Sequence, residues 1–372
     1  MRISRRAPVG RGLVAVAVSV LLSAATLGCG ATDQQTPPPS SPAGGTTTIS
    51  ASPAMSGTAT PGSTATPSAR PSSPPTSPRP DRVTQRRPGW ALDRIDQRRQ
   101  PLDGRYSSIG QGGGVTVYVV DGLFDVTNAE FGGRASVGLR RGTSCMLESG
   151  INHGLFVAGI VAGRHTGVAK QASVVSVGAS TGCEGADESS RDKALARIVT
   201  ALGWVSQHAK RPAVVNLSLN SDRPAPALEA AVERLVAGGL TVVASAGNDG
   251  GDACRRPPAG LPGVVTVAAA TKNDRDAGLN HGRCVDLFAP AEGVDSVVDA
   301  ELDPDRVVTS DVTATSWAAP YVSGAAALYL SVHPSASPTD VRAWLIDNST
   351  SGALRGDLHG SPNRLLYTRG PL

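Results

Sequence analysis

Between about Trp90 and Tyr367 the chain alternates two kinds of apolar pattern. Short unbroken apolar runs bounded by Gly and Pro read as strands buried on both faces: Val115–Val120, Ser173–Val177, Ala213–Leu217, Thr241–Ala244 and Val264–Ala268. Longer stretches with helical spacing fall between or after them, at His153–Ala162, Asp192–His208, Pro226–Ala237 and Ser316–Ser331. β-branched runs alternating with helices predict an α/β fold, a three-layer domain with a mostly parallel central sheet covered by helices on both faces. Sites in such sheets lie beyond the carboxyl ends of the strands.

The pattern is absent upstream. Residues 1–28 carry Arg2, Arg5, Arg6 and Arg11, then an apolar run, Leu13–Leu22, too short to span a bilayer by itself. This reads as an export signal. It ends Ala25-Thr26-Leu27-Gly28-Cys29, which resembles a bacterial lipoprotein cleavage site and implies lipidation of Cys29; ordinary signal cleavage is the alternative. Residues 29–87 are mostly Thr, Ser, Pro, Gly and Ala, too poor in large apolar side chains to offset ordering entropy. They read as a disordered stalk that, extended, reaches on the order of 170 Å. The expected organisation is therefore signal 1–28, stalk 29–87 and folded domain 88–372. The expected location is exported, either lipid-anchored on the outer face of the membrane or secreted.

Composition narrows the picture. Aromatic residues make up 3% of the chain, beside 43 Gly and 28 Pro, which favours close backbone packing over a core of large rings. The formal net charge is +4, and the signal holds four arginines and no acid. The remainder is neutral and offers no footprint for nucleic acid. No phosphate loop or dinucleotide fingerprint occurs. Four cysteines, Cys145, Cys183, Cys254 and Cys284, fall in the folded part. In an exported domain an even number points to two disulfides, with three pairings open.

Four segments carry candidate chemistry. Val117-Tyr118-Val119-Val120-Asp121 ends an apolar strand in an acid able to orient a histidine. Asn152-His153-Gly154 opens a small-residue helix with a candidate general base. Ala314-Thr315-Ser316 starts another helix, where backbone donors and the dipole favour an oxyanion beside a serine. Ala246-Gly247-Asn248 follows a buried strand and offers a side-chain amide to the same charge. Asp, His and Ser in this chain order match subtilisin.

From about Ala91 to Leu366 the chain resembles the subtilisin-like serine peptidases, particularly the proteinase K and aqualysin branch. The resemblance rests on Trp90–Gln97, Val119-Val120-Asp121, His153-Gly154 with Val157-Ala158-Gly159, Val215–Leu219, Ala246-Gly247-Asn248, Asn280–Pro290, Thr315-Ser316 with Ala318-Ala319-Pro320, and Ser361–Leu366. It implies a serine endopeptidase acting on protein or peptide substrates, with a monomeric catalytic domain and no cofactor in catalysis. Asp121, His153 and Ser316 would form the triad and Asn248 the oxyanion hole; Ser218, Leu219, Asn220, Ala246 and Gly247 would line the substrate cleft. The disulfides implied are Cys145–Cys183 and Cys254–Cys284. A structural calcium is implied at Pro262, Val264 and Asp286, where an acid at a strand start with no ion is the alternative. The chain departs from the family at Gly122, Leu155-Phe156, Ala314, Trp317 and Asn220. Trp317 and Asn220 are expected to reshape the pocket, and a catalytically weak fold that binds peptides or partners is the alternative function.

Overall fold

The computed structural model describes residues 82–147, 150–179, 187–299 and 307–370. In chain order the elements begin β1 (Arg82–Arg86), α1 (Trp90–Ile95), β2 (Arg105–Ile109), β3 (Thr116–Asp121), β4 (Ala135–Leu139), α2 (His153–Ala162) and β5 (Ser173–Gly178). They continue α3 (Glu188–His208), β6 (Ala213–Leu217), α4 (Pro226–Ala237), β7 (Thr241–Ser245), β8 (Val264–Ala270), β9 (Leu287–Pro290), β10 (Asp295–Val297) and β11 (Val307–Thr309). The last are α5 (Thr315–Val332), α6 (Pro338–Asp347), β12 (Thr350–Ser351) and β13 (Arg364–Leu365).

Nine strands form one sheet in the order β12-β13-β9-β8-β7-β6-β3-β5-β4. All neighbours run parallel except β12 and β13. Alternate side chains of each central strand go to opposite cores, because successive residues face opposite ways. Val117 and Val119 of β3 pack with α2, α5 and α6, whereas Tyr118 and Val120 pack with α3 and α4. Burial on both faces is why these strands are unbroken apolar runs. The predicted α/β three-layer class is the observed one.

Some boundaries and elements differ from expectation. Arg82–Arg86, placed in the stalk by composition, pairs antiparallel with β2 over five residues, on a partner strand whose Tyr106, Ser107 and Ser108 are buried. Asp187 caps α3 by accepting from the Ser190 N–H, so this helix starts at Glu188 rather than Asp192. β9, β12 and β13 are too short to register as patterns. The signal, Cys29, Cys183 and residues 29–81 of the stalk lie outside the described residues.

Candidate active site

Asp121 ends β3 and is fully buried. Asn152 caps α2, its side chain accepting from the Leu155 N–H, which makes His153 the first helical residue. A Cβ on Gly154 would lie 2.3 Å from the Gly122 carbonyl, so glycine there lets the helix start close to the strand end. His153 Nδ1 stands 2.8 and 2.9 Å from the two Asp121 carboxylate oxygens. Burial works against a charged imidazole, but the Asp121 charge and hydrogen bond outweigh it and hold the group above its ordinary value.

The departure at Gly122 has a steric cause. A Cβ there would meet the Cys145 nitrogen at 2.7 Å and the Cys145 Cβ at 2.8 Å. The segment carrying Cys145 crosses both catalytic elements: its carbonyl accepts from the His153 N–H at 2.8 Å, and the Thr143 carbonyl accepts from the Leu123 N–H at 3.2 Å. Asp121 Oδ1 accepts from the Gly122 backbone N–H at 2.7 Å.

Ser316 lies in the first turn of α5, 8% exposed, and lines one cleft of about 620 Å³ with His153 and Asn248. Its hydroxyl donates to the Ser218 carbonyl at 3.3 Å. Among the described residues no hydrogen bond joins it to His153; such bonds are often long before substrate binds. Pro320 lies inside α5 and cannot donate to the carbonyl four residues back. That carbonyl belongs to Ser316, and the Ser218 hydroxyl donates to it at 2.8 Å. Ser218 therefore grips Ser316 twice. It is held in turn by Asn216 Nδ2 at 3.0 Å, while Asn216 Oδ1 accepts from the Ser323 hydroxyl at 2.8 Å. Asn216 and Ser323 carry no motif signal of their own beyond the Val215–Leu219 strand.

Asn248 Oδ1 accepts from the Thr315 N–H at 2.9 Å and the Thr315 hydroxyl at 2.8 Å. This fixes the amide so that Nδ2 is the end left for the cleft. The loop behind it is tied by Asn280, whose Oδ1 accepts from Asp249 and Gly251 N–H and whose Nδ2 donates to the Ala246 carbonyl. Sequence reasoning missed Thr315 and Asn280 as supports; both lie inside motifs quoted for the resemblance.

Of the expected cleft residues, Ser218, Leu219, Asn220 and Gly247 line the cavity. Ala246 does not: it is fully buried with Ala268 and Phe288. Asn220 folds against its own wall. Nδ2 donates to the Ser245 carbonyl at 2.7 Å and the Arg256 carbonyl at 3.2 Å, and Oδ1 accepts from the Ser245 hydroxyl at 3.0 Å. Trp317, the other residue expected to shape the pocket, lines the cleft although it is only 1% exposed. Its ring packs mainly on His153 and Phe156, and its indole N–H donates to the Val312 carbonyl.

Cys254 and Cys284 are disulfide-bonded. Cys145 is also disulfide-bonded, and its expected partner Cys183 lies outside the described residues. The residues named for calcium do not fit a calcium ion. One Asp286 oxygen accepts from the Thr266 N–H at 2.9 Å, and the other is 2.5 Å from the Arg342 guanidinium. A cationic side chain thus stands against the one carboxylate of the set. Among the described residues no cluster of three His, Cys, Asp or Glu side chains is arranged to hold a metal.

The subtilase family model matches residues 143–363. The chain is 40% identical over 283 residues to the extracellular serine proteinase of Thermus sp. (strain Rt41A), covering 75% of this chain and 66% of that one. It is 38% identical over 281 residues to alkaline serine exoprotease A of Vibrio alginolyticus, covering 75% and 50%. The chain thus spans about two-thirds and half the length of these relatives. The crystal structure of a cold adapted subtilisin-like serine proteinase superposes with a TM-score of 0.67 at 33% identity, over 77% of this chain and 100% of that chain.

Proposed function

Because the chain belongs to the subtilase family, we propose that it is a serine endopeptidase that cleaves peptide bonds through an acyl-enzyme. The observation that carries this reading is the His153 Nδ1 pair with a fully buried Asp121, in the same cleft as Ser316. With Nδ1–H directed at the carboxylate, Nε2 is the basic nitrogen. When substrate enters, the Ser316 hydroxyl turns from the Ser218 carbonyl to Nε2 and attacks the peptide carbonyl as its proton passes to His153. Asn248 Nδ2 and the Ser316 N–H receive the developing oxyanion. His153 then gives its proton to the leaving amine, and water repeats the sequence to release the acid. Asp121 orients the imidazole throughout and stabilises it when charged.

Export fits the basic and apolar start of the chain, and two similar proteins bear the names extracellular serine proteinase and exoprotease. We place the domain outside the membrane on a stalk anchored through Cys29, acting on protein or peptide substrates. The second reading is a weakly catalytic fold that binds peptides, in which the Ser316 hydroxyl stays on the Ser218 carbonyl rather than turning to His153. Labelling the full chain with a fluorophosphonate, beside Ser316→Ala, separates the two. Labelling lost in the variant supports the peptidase; a folded chain that never labels refutes it.

A further inference from the structure

The residue after the nucleophile is the unusual one. Trp317 is the largest fully buried side chain among the described residues, and it is anchored at three points. Its indole N–H donates to the Val312 carbonyl at 3.0 Å, its ring packs on Phe156 with centroids 4.5 Å apart, and its ring meets His153 with centroids 5.0 Å apart and planes 35° apart. The imidazole, bonded to Asp121 through Nδ1, therefore meets in Trp317 a ring that is itself anchored by a hydrogen bond and by Phe156. The separation also lies within the range, about 6 Å, over which an aromatic face attracts a cation.

We propose that Trp317 is a positioning residue for His153: its indole holds the imidazole on Asp121 and stabilises the protonated form made when His153 takes the Ser316 proton. The inference rests on the peptidase reading for its role in turnover. The contact itself does not depend on that reading.

Other charges do not compete for the task. On the β3 side Asp121 is bonded to the ring, and from the 143–147 segment Cys145 offers its backbone carbonyl to the His153 N–H and is itself disulfide-bonded. The other charged groups lining the cleft are paired: Arg191 with Asp222, Arg256 with Asp249, and Arg223 with Glu188 and Asp192 of α3. From α5 the group facing the imidazole is an uncharged ring. Asp121 therefore supplies the countercharge on one side of His153 and Trp317 the polarisable surface on another.

The test uses the full chain in the Ser316→Ala background, where His153 is titrated by NMR without turnover. The wild-type ring is compared with Trp317→Met and Trp317→Phe, and with protein carrying fluorinated tryptophans, which keep the indole shape but weaken the negative face. Among the described residues Trp317 is the tryptophan that meets His153, so global labelling reports on this contact. The His153 midpoint is expected to fall by about half a unit or more in Trp317→Met. It should fall by less in Trp317→Phe and progressively with fluorine number. In the active chain the acid limb of kcat/KM should move the same way, with kcat lowered about 3- to 30-fold and KM little changed. An unmoved midpoint across the fluorinated series overturns the proposal even where the methionine variant fails to fold. So does a change confined to KM, which would make Trp317 a pocket wall. A shifted midpoint in a chain that never labels with fluorophosphonate would leave this inference standing and refute the peptidase reading alone.

Discussion

Ser218 offers the sharpest test of how the nucleophile is held. Its hydroxyl supplies the Ser316 carbonyl with the donor that Pro320 removes from the helix, at 2.8 Å, and accepts from Asn216 Nδ2 at 3.0 Å. Ser218→Ala strips both partners in a buried place. Each polar group left unpaired costs about 1–3 kcal/mol, so the variant should lose on the order of 2–4 kcal/mol, taking partial relaxation into account. In Pro320→Ala a backbone N–H returns to position 320 and can close the helical bond to Ser316 itself. The share of the Ser218→Ala cost that belongs to the Ser316 carbonyl should then vanish, giving a coupling of about 1–2 kcal/mol between the two substitutions. Urea unfolding of the four proteins measures it, and kcat/KM on a peptide substrate follows the same cycle. If Ser218→Ala costs the same with either residue at 320, the hydroxyl is not replacing the missing helical donor and the account of this turn is wrong.

Asn248→Ala should lower kcat about 100- to 1,000-fold with KM little changed, the cost known for one oxyanion donor in subtilisin; an unchanged kcat would remove Asn248 from the oxyanion site. Asn220→Gly should open the wall closed by its bonds to Ser245 and Arg256 and admit larger side chains before the cleaved bond. A peptide library profiled on both proteins shows this, and an identical profile counts against it. Asp96 is buried and its carboxyl is pushed up to about 7, chiefly by burial. Its raised value means the neutral form suits the fold: the contribution is intact below about pH 4 and lost as pH rises through 7. Asp96→Asn should therefore add on the order of 2 kcal/mol at pH 8 and almost nothing at pH 4, and equal melting shifts at the two pH values would refute it. At Asp286 the Arg342 guanidinium stands where a cation is expected, so melts with and without EDTA should coincide; a calcium-dependent gain abolished by Asp286→Asn would overturn that assignment.

Much of this was legible in the chain itself. The five unbroken apolar runs became β3, β5, β6, β7 and β8, because a strand covered on both faces needs apolar residues at every position. Asp121, His153, Asn248 and Ser316 stand out because each follows or opens an element whose pattern is strong. Local chemistry also marks the end of an element at Asn152 before α2; the capping box of Ser337 with Asp340 marks α6 in the same way, but that helix was not among those expected. The short strands β9, β12 and β13 were not legible, since two to four residues carry no period and are strands only because a neighbour completes their hydrogen bonds.

What only the tertiary structure decided is the company each residue keeps. Gly122 reads as a departure from the family along the chain, yet in space it is the gap that lets Cys145 pass. Pro320, part of the serine motif along the chain, withdraws a helical donor in space and becomes the reason Ser218 holds Ser316. Asp286 reads as a cation ligand until Arg342, 56 residues later, is brought against it. Trp317 reads as a bulky pocket residue; it does line the cleft, and in space it is also a buried neighbour of His153. Period and capping are set by neighbours within a few positions, so the chain alone determines them. Close approach, countercharge and hydrogen-bond partnership are set by residues far apart in sequence, and these exist only once the sheet and its helices have closed around them.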